Sequence, residues 1–201
     1  GNWKVTKFTF FGIVNNSASM TTPPFNSVKL AIYNTDPSVG SPTPVFGSST
    51  FTTNYFNQSY FANMYRVSGG SSAQDAKIWR VEASVGGTAG VTLNPNTRYW
   101  VVFSLGTTAG TTCFTPTSTV VGTTTQYQNN AKTKDLNTGN WSNITDGGGA
   151  QDLPFIVTYT APACTGTPVP GATQSSLTST LVCPNEDFTL FLSTPPCGTG
   201  I

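Results

Sequence analysis

Eight acidic side chains and no histidine bound the chemistry open to this 201-residue chain. Without histidine, a nucleophile–base–orienter triad cannot be assembled in its usual form, and no G-x-S-x-G elbow occurs. The acid–base candidates are Asp36, Asp75, Glu82, Asp135, Asp146, Asp152, Glu186 and Asp187. Glycoside hydrolysis needs two carboxyl groups facing each other about 5–9.5 Å apart. Asp146 and Asp152 flank one loop and are the pair to consider, but both sit beside Gly- or Pro-containing turns, where Asp caps backbone N–H groups. No catalytic residue is therefore expected. The same loop suits a hard cation better: Asp146, the Gly147–Gly149 carbonyls and Asp152 offer oxygen ligands for calcium, although the spacing is not that of an EF-hand.

Sugar binding would use flat aromatic faces with amides beside them. Trp141 and Tyr127, with Asn129 and Asn130 near, are the candidate ligand-binding residues, and Tyr55, Tyr60 and Tyr65 also stand in or beside polar stretches. The competing role for each ring is that of a buried anchor, and large aromatics usually serve the core. Trp79 and Trp100 read as core. The four cysteines, Cys113, Cys164, Cys183 and Cys197, lack C-x-x-C spacing, which argues against zinc and for disulfides or inert buried thiols.

These residues need strands to hold them. Trp3 to Val14 alternates through Trp3, Val5, Phe8 and Phe10, with Phe11 and Ile13 continuing after a phase change that reads as a bulge. Ser27–Tyr33 presents Val28, Leu30 and Ile32 on one face, and Asn34-Thr35-Asp36-Pro37-Ser38 turns the chain. Weaker strands are expected at 44–46 and 51–56, then firmer ones at 60–67 and 77–85. Val91-Thr92-Leu93 is another, and residues 98–105 give the most apolar strand, expected to be central because it is apolar on both faces. The span 106–125 reads as a long loop or edge strand. Residues 126–131 and 154–160 are expected as strands around the polar loop that carries Trp141.

Composition agrees. Thr and Ser supply roughly a quarter of the chain, and only 8% of residues are charged, against about 25% in an average soluble protein. The net charge of +1 gives no electrostatic pull toward nucleic acid, and no apolar run is long enough to span a membrane. Strand formers broken by Gly, Pro and Asn predict an all-β fold, a jelly-roll-type β-sandwich over residues 1–160. A composition shift at Thr160-Ala161-Pro162-Ala163 sets off 161–201 as a linker and the first strands of a second, Ig-like β domain. The abrupt opening and close of the pattern read as a piece of a larger mature protein. Few charges and scattered cysteines suggest an extracellular compartment.

Two stretches resemble known proteins. The order of a Trp-initiated strand, VKLAIYNTDPSVGSP, FANMYRVSGG, the Trp79 strand, VTLNPNTRYWVVFSLG and the ending from Asn130-Ala131 through Trp141 and Asp146 to Gln151-Asp152-Leu153-Pro154-Phe155 resembles a β-sandwich module of large secreted or cell-surface Bacteroidota proteins. That module's usual opening strand is lacking here. Further on, Cys164-Thr165-Gly166-Thr167-Pro168, Val182-Cys183-Pro184 and Phe188-Thr189-Leu190 are similar to Ig-like segments of cargo of the type IX secretion system. The second resemblance implies a Cys164–Cys183 disulfide and a secreted or cell-surface location. Cys197 departs from it, with Cys113 or a residue beyond the end as its partner.

The expected function is that of a non-catalytic adhesion or structural module with possible glycan contact, with a glycan, a cell-surface partner or secretion machinery as partners. The alternatives are an accessory carbohydrate-binding domain of a polysaccharide hydrolase and a secretion cargo whose own activity is incidental. No cofactor is expected beyond calcium.

Overall fold

The computed structural model describes residues 2–66, 76–108, 110–117, 131–146 and 148–160, with two short strands at 173–175 and 190–192. The chain divides into two units, Gly1–Ala161 and Pro162–Ile201. In the second, β14 (Thr173–Ser175) pairs antiparallel with β15 (Leu190–Leu192). Cys164, Cys183 and Cys197 lie outside the described residues.

The first unit is an all-β sandwich of antiparallel sheets, the fold class its composition predicts. Among the described residues the one helical element is a 3-10 turn at Gly87–Ala89, and no helix is long and apolar enough to cross a membrane. The larger sheet runs β13 (Phe155–Thr160), β1 (Trp3–Val14), β5 (Ala76–Ser84), β4 (Phe56–Arg66). The smaller runs β3 (Phe46–Gly47), β2 (Phe25–Tyr33), β7 (Trp100–Thr107).

β1 organises the larger sheet because both of its edges are paired. Phe8 to Phe10 bond β13 on one side and β5 on the other. β6 (Val91–Leu93) extends the β5 side at Trp3–Val5, and β8 (Cys113–Phe114) extends the β13 side at Ile13 and Val14. Phe8, Phe10 and Val14 face inward with Trp79, Val81 and Ala83 of β5, against Val28, Leu30 and Ile32 of β2. Across the sheets Phe10 stacks on Phe103 of β7, ring centroids 4.0 Å apart.

Several expectations need correction. The phase change lies earlier than the alternation suggests: the register slips between Val5 and Lys7, around Thr6, whose carbonyl accepts from Val85 N at 3.0 Å. Phe11 and Ile13 then occupy the opposite face, so no second slip is required. Residues 51–55 form no strand. Instead Tyr55 donates its N–H to Val28 of the smaller sheet at 2.7 Å and accepts from Ser84 of the larger at 3.0 Å. The Asn54 carboxamide holds this crossing, accepting from Val28 N at 2.9 Å and Phe56 N at 3.1 Å. β7, expected to be central, ends the smaller sheet among the described residues, and Trp100 is half-buried rather than a core anchor. The polar loop contains three-residue strands, β9 (Lys132–Lys134) and β10 (Trp141–Asn143), then β11 (Thr145–Asp146) with β12 (Gly149–Ala150).

Candidate functional site

The described carboxylates are tied into structural roles. Glu82 is 3% exposed although it points away from the inter-sheet core. Lys7 Nζ reaches its Oε1 at 2.9 Å, Tyr60 Oη donates to Oε1 at 3.1 Å and Gln58 Nε2 to Oε2 at 2.8 Å. Burial raises its pKa, but the hydrogen bonds from Lys7, Gln58 and Tyr60 outweigh that and hold it below the usual glutamate range. Asp36 caps its turn as read from the sequence, accepting from Ser38 N at 2.8 Å and Ser38 Oγ at 2.7 Å. Those bonds lower its pKa, and Lys132 Nζ adds to the effect from 3.7 Å. Asp135 is lowered in the same way by the N–H groups of Asn137 and Thr138.

Of the calcium candidates, Asp152 is described and engaged with a partner, while the side chain of Asp146 and the whole of Gly147 lie outside the described residues. Among the described residues no three acidic, Cys or His side chains group as a metal site. Gln151 is 1% exposed, with its Nε2 donating to the Gly149 carbonyl at 3.3 Å. Cys113 is a free thiol whose Sγ lies 3.5 Å from the Leu105 carbonyl, and burial pushes its pKa up. Its side chain is half-buried.

The aromatic candidates separate. Tyr55 packs against the core and contacts Phe46, centroids 5.3 Å apart. Tyr65 meets Phe61 edge-on at 5.1 Å. Tyr60 is bound to Glu82 and lies 5.9 Å from the Arg80 guanidinium. Tyr127, Asn129 and Asn130 lie outside the described residues.

Trp141, like Tyr60 and Tyr65, is half-buried and outside the cluster that fills the sandwich. Its register fixes its neighbours: Trp141 opposes Lys134, Ser142 opposes Thr133 and Asn143 opposes Lys132. Directly opposed residues share a face, so Trp141, Asn143, Lys132 and Lys134 form one surface of the hairpin. Lys134 Nζ stands 5.7 Å from the indole centroid. The hairpin turn is stiffened by Asp135, with Gly139 N bonding Asp135 O at 2.7 Å and Asp135 N bonding Asn140 O at 2.9 Å. Lys132 ties the same hairpin to the Asp36 turn through Ser38 Oγ. The sequence singled out Trp141 but not Lys134; the signal was the K-T-K triplet seven residues before the ring, which acquires meaning only with the register.

A concavity lies at one end of the sandwich. A cavity of about 550 Å³ is lined by Val14, Met20, Pro23 and Pro24 with the hydroxyl-bearing residues Ser19, Thr21, Thr22, Thr107, Thr108 and Thr111. It contains neither an ionisable group nor an aromatic ring. Comparison with protein-family models, curated proteins and solved structures returned no match for the chain.

Proposed function

We propose that this chain is a non-catalytic module of a large secreted or surface-displayed bacterial protein, serving adhesion and contacting glycans through Trp141. The observation that supports it is the placement of that ring: half-exposed, off the core, on a hairpin pinned by its own turn and by Lys132. A flat apolar face bordered by an amide is the surface a pyranose ring stacks upon. The engagement of Glu82, Asp36 and Asp135 in hydrogen bonds argues for structural rather than proton-transfer roles. The scarcity of charge and abundance of hydroxyls favour an extracellular setting.

The test is a glycan array with the 201-residue chain and its Trp141→Ala variant. Saturable binding by the parent is expected, with affinity reduced at least about tenfold in the variant, some 1.4 kcal/mol. Binding that survives the substitution would move the contact elsewhere, and no binding to any glycan would leave a spacer role.

A further inference from the structure

The hairpin that presents Trp141 also carries two of the chain's nine cationic side chains within three residues, Lys132 and Lys134, in a protein whose overall charge is nearly balanced. Their situations differ. Lys132 is 3.7 Å from the Asp36 carboxylate and donates to Ser38 Oγ, so its charge is answered within the protein. Lys134 forms no ion pair among the described residues; its ammonium lies over the indole opposite. A cation held over an exposed ring gains only about 0.5–1 kcal/mol. That contact yields readily to a full negative charge, while the ring it vacates remains available for stacking.

We propose that this surface selects saccharides bearing an anionic group, a carboxylate or a sulfate, with Lys134 pairing with the anion and Trp141 supporting the sugar ring. The proposal rests on the reading that Trp141 contacts glycans, and names the class of glycan. The cross-strand register is what makes the two act together, because direct opposition brings the ammonium and the indole to the same sugar unit. Asn143, on the same face two residues along from Trp141, offers an amide to the neutral hydroxyls.

The experiment uses the full chain on an array of matched pairs: each carboxylated glycan beside its neutral methyl ester, and each sulfated glycan beside its unsulfated parent. The expected result is a preference of about tenfold or more for the anionic member of at least one pair, weakening as salt rises from about 0.05 to 0.5 M. Lys134→Gln should reduce that preference to parity while neutral binding persists; Trp141→Ala should remove binding to both members. Lys4→Gln, which removes an equal charge from an exposed position in β1, should leave the preference intact. Whether the carboxylated or the sulfated pairs respond identifies the anion. Equal binding of charged and neutral members, or a preference untouched by Lys134→Gln, overturns the proposal while the role of Trp141 stands. An unaltered Trp141→Ala variant moves the glycan contact elsewhere, and a blank array leaves only the spacer role; either brings down the reading of Trp141 as the glycan contact and this proposal with it.

Discussion

Glu82 is the described carboxylate with the most at stake, because water reaches little of it and three side chains replace that water. Removing one partner of a buried pair costs more than removing both, since the survivor keeps its desolvation penalty. Lys7→Met should therefore lower stability by about 1–3 kcal/mol at pH 7. Lys7→Met with Glu82→Leu should recover most of that loss, as read from urea unfolding. Equal losses in the single and double variants would show that the network contributes nothing specific. The pH dependence follows from the direction of the shift. Glu82 titrates lower in the folded protein than in the unfolded chain, so its contribution is whole above about pH 4.3 and is lost as the pH falls through the folded value. Glu82→Gln should flatten that acid limb; an unchanged limb would assign it to Asp36 and Asp135, whose pKa values are lowered by their turn hydrogen bonds.

β1 shows how an element can be legible in outline and opaque in detail. Its twelve residues, Trp3–Val14, are a strand because aromatic and β-branched side chains alternate there, and the same alternation marked the inward faces of β2 and β5. Gly12 is the exception, and the structure supplies the reason: a Cβ at that position would stand 2.4 Å from Phe25 Cζ, inside the ring's own space. The phenyl ring fills the room left by the missing side chain. Gly12→Ala should cost about 1–3 kcal/mol through overpacking. Phe25→Leu in the Gly12→Ala background should cost less than Phe25→Leu alone, measured as shifts in the denaturation midpoint at constant slope; strict additivity would refute the contact. What the sequence withheld has a common physical cause. The crossing at Asn54-Tyr55 looks like a weak strand because its backbone is half-bonded to each sheet, and local pattern cannot tell one ladder from two. Lys134 stayed invisible as a candidate because pairing depends on register, which no count of spacing within one segment provides. Trp141 was legible as an aromatic in polar surroundings, but its distance from the core is set by three-residue strands too short to announce themselves.

At the scale of the whole sandwich, stability comes from pressing one sheet on the other, and the contact between Phe10 and Phe103 joins the two across that interface. Phe10 is fully buried on β1, whose two edges engage four other strands, while Phe103 belongs to a sheet of three. Neither sheet has another apolar layer of comparable extent among the described residues, so loss of the shared one should weaken both together. Phe10→Ala should cost about 3–5 kcal/mol. Set against the 5–15 kcal/mol that typically separates folded from unfolded domains, that is a large share. It translates into a fall of about 10 °C in the thermal midpoint for a unit of this size. The informative reading is the shape of the transition. Far-ultraviolet dichroism follows all the strands, and near-ultraviolet dichroism follows Trp79 and the packed rings of the interior. One cooperative domain predicts that both signals move together, by the same amount, in the parent and in Phe10→Ala. A variant in which the near-ultraviolet signal melts first, leaving strand content behind, would mean that the larger sheet keeps its own structure without its partner and that the sandwich is not the folding unit.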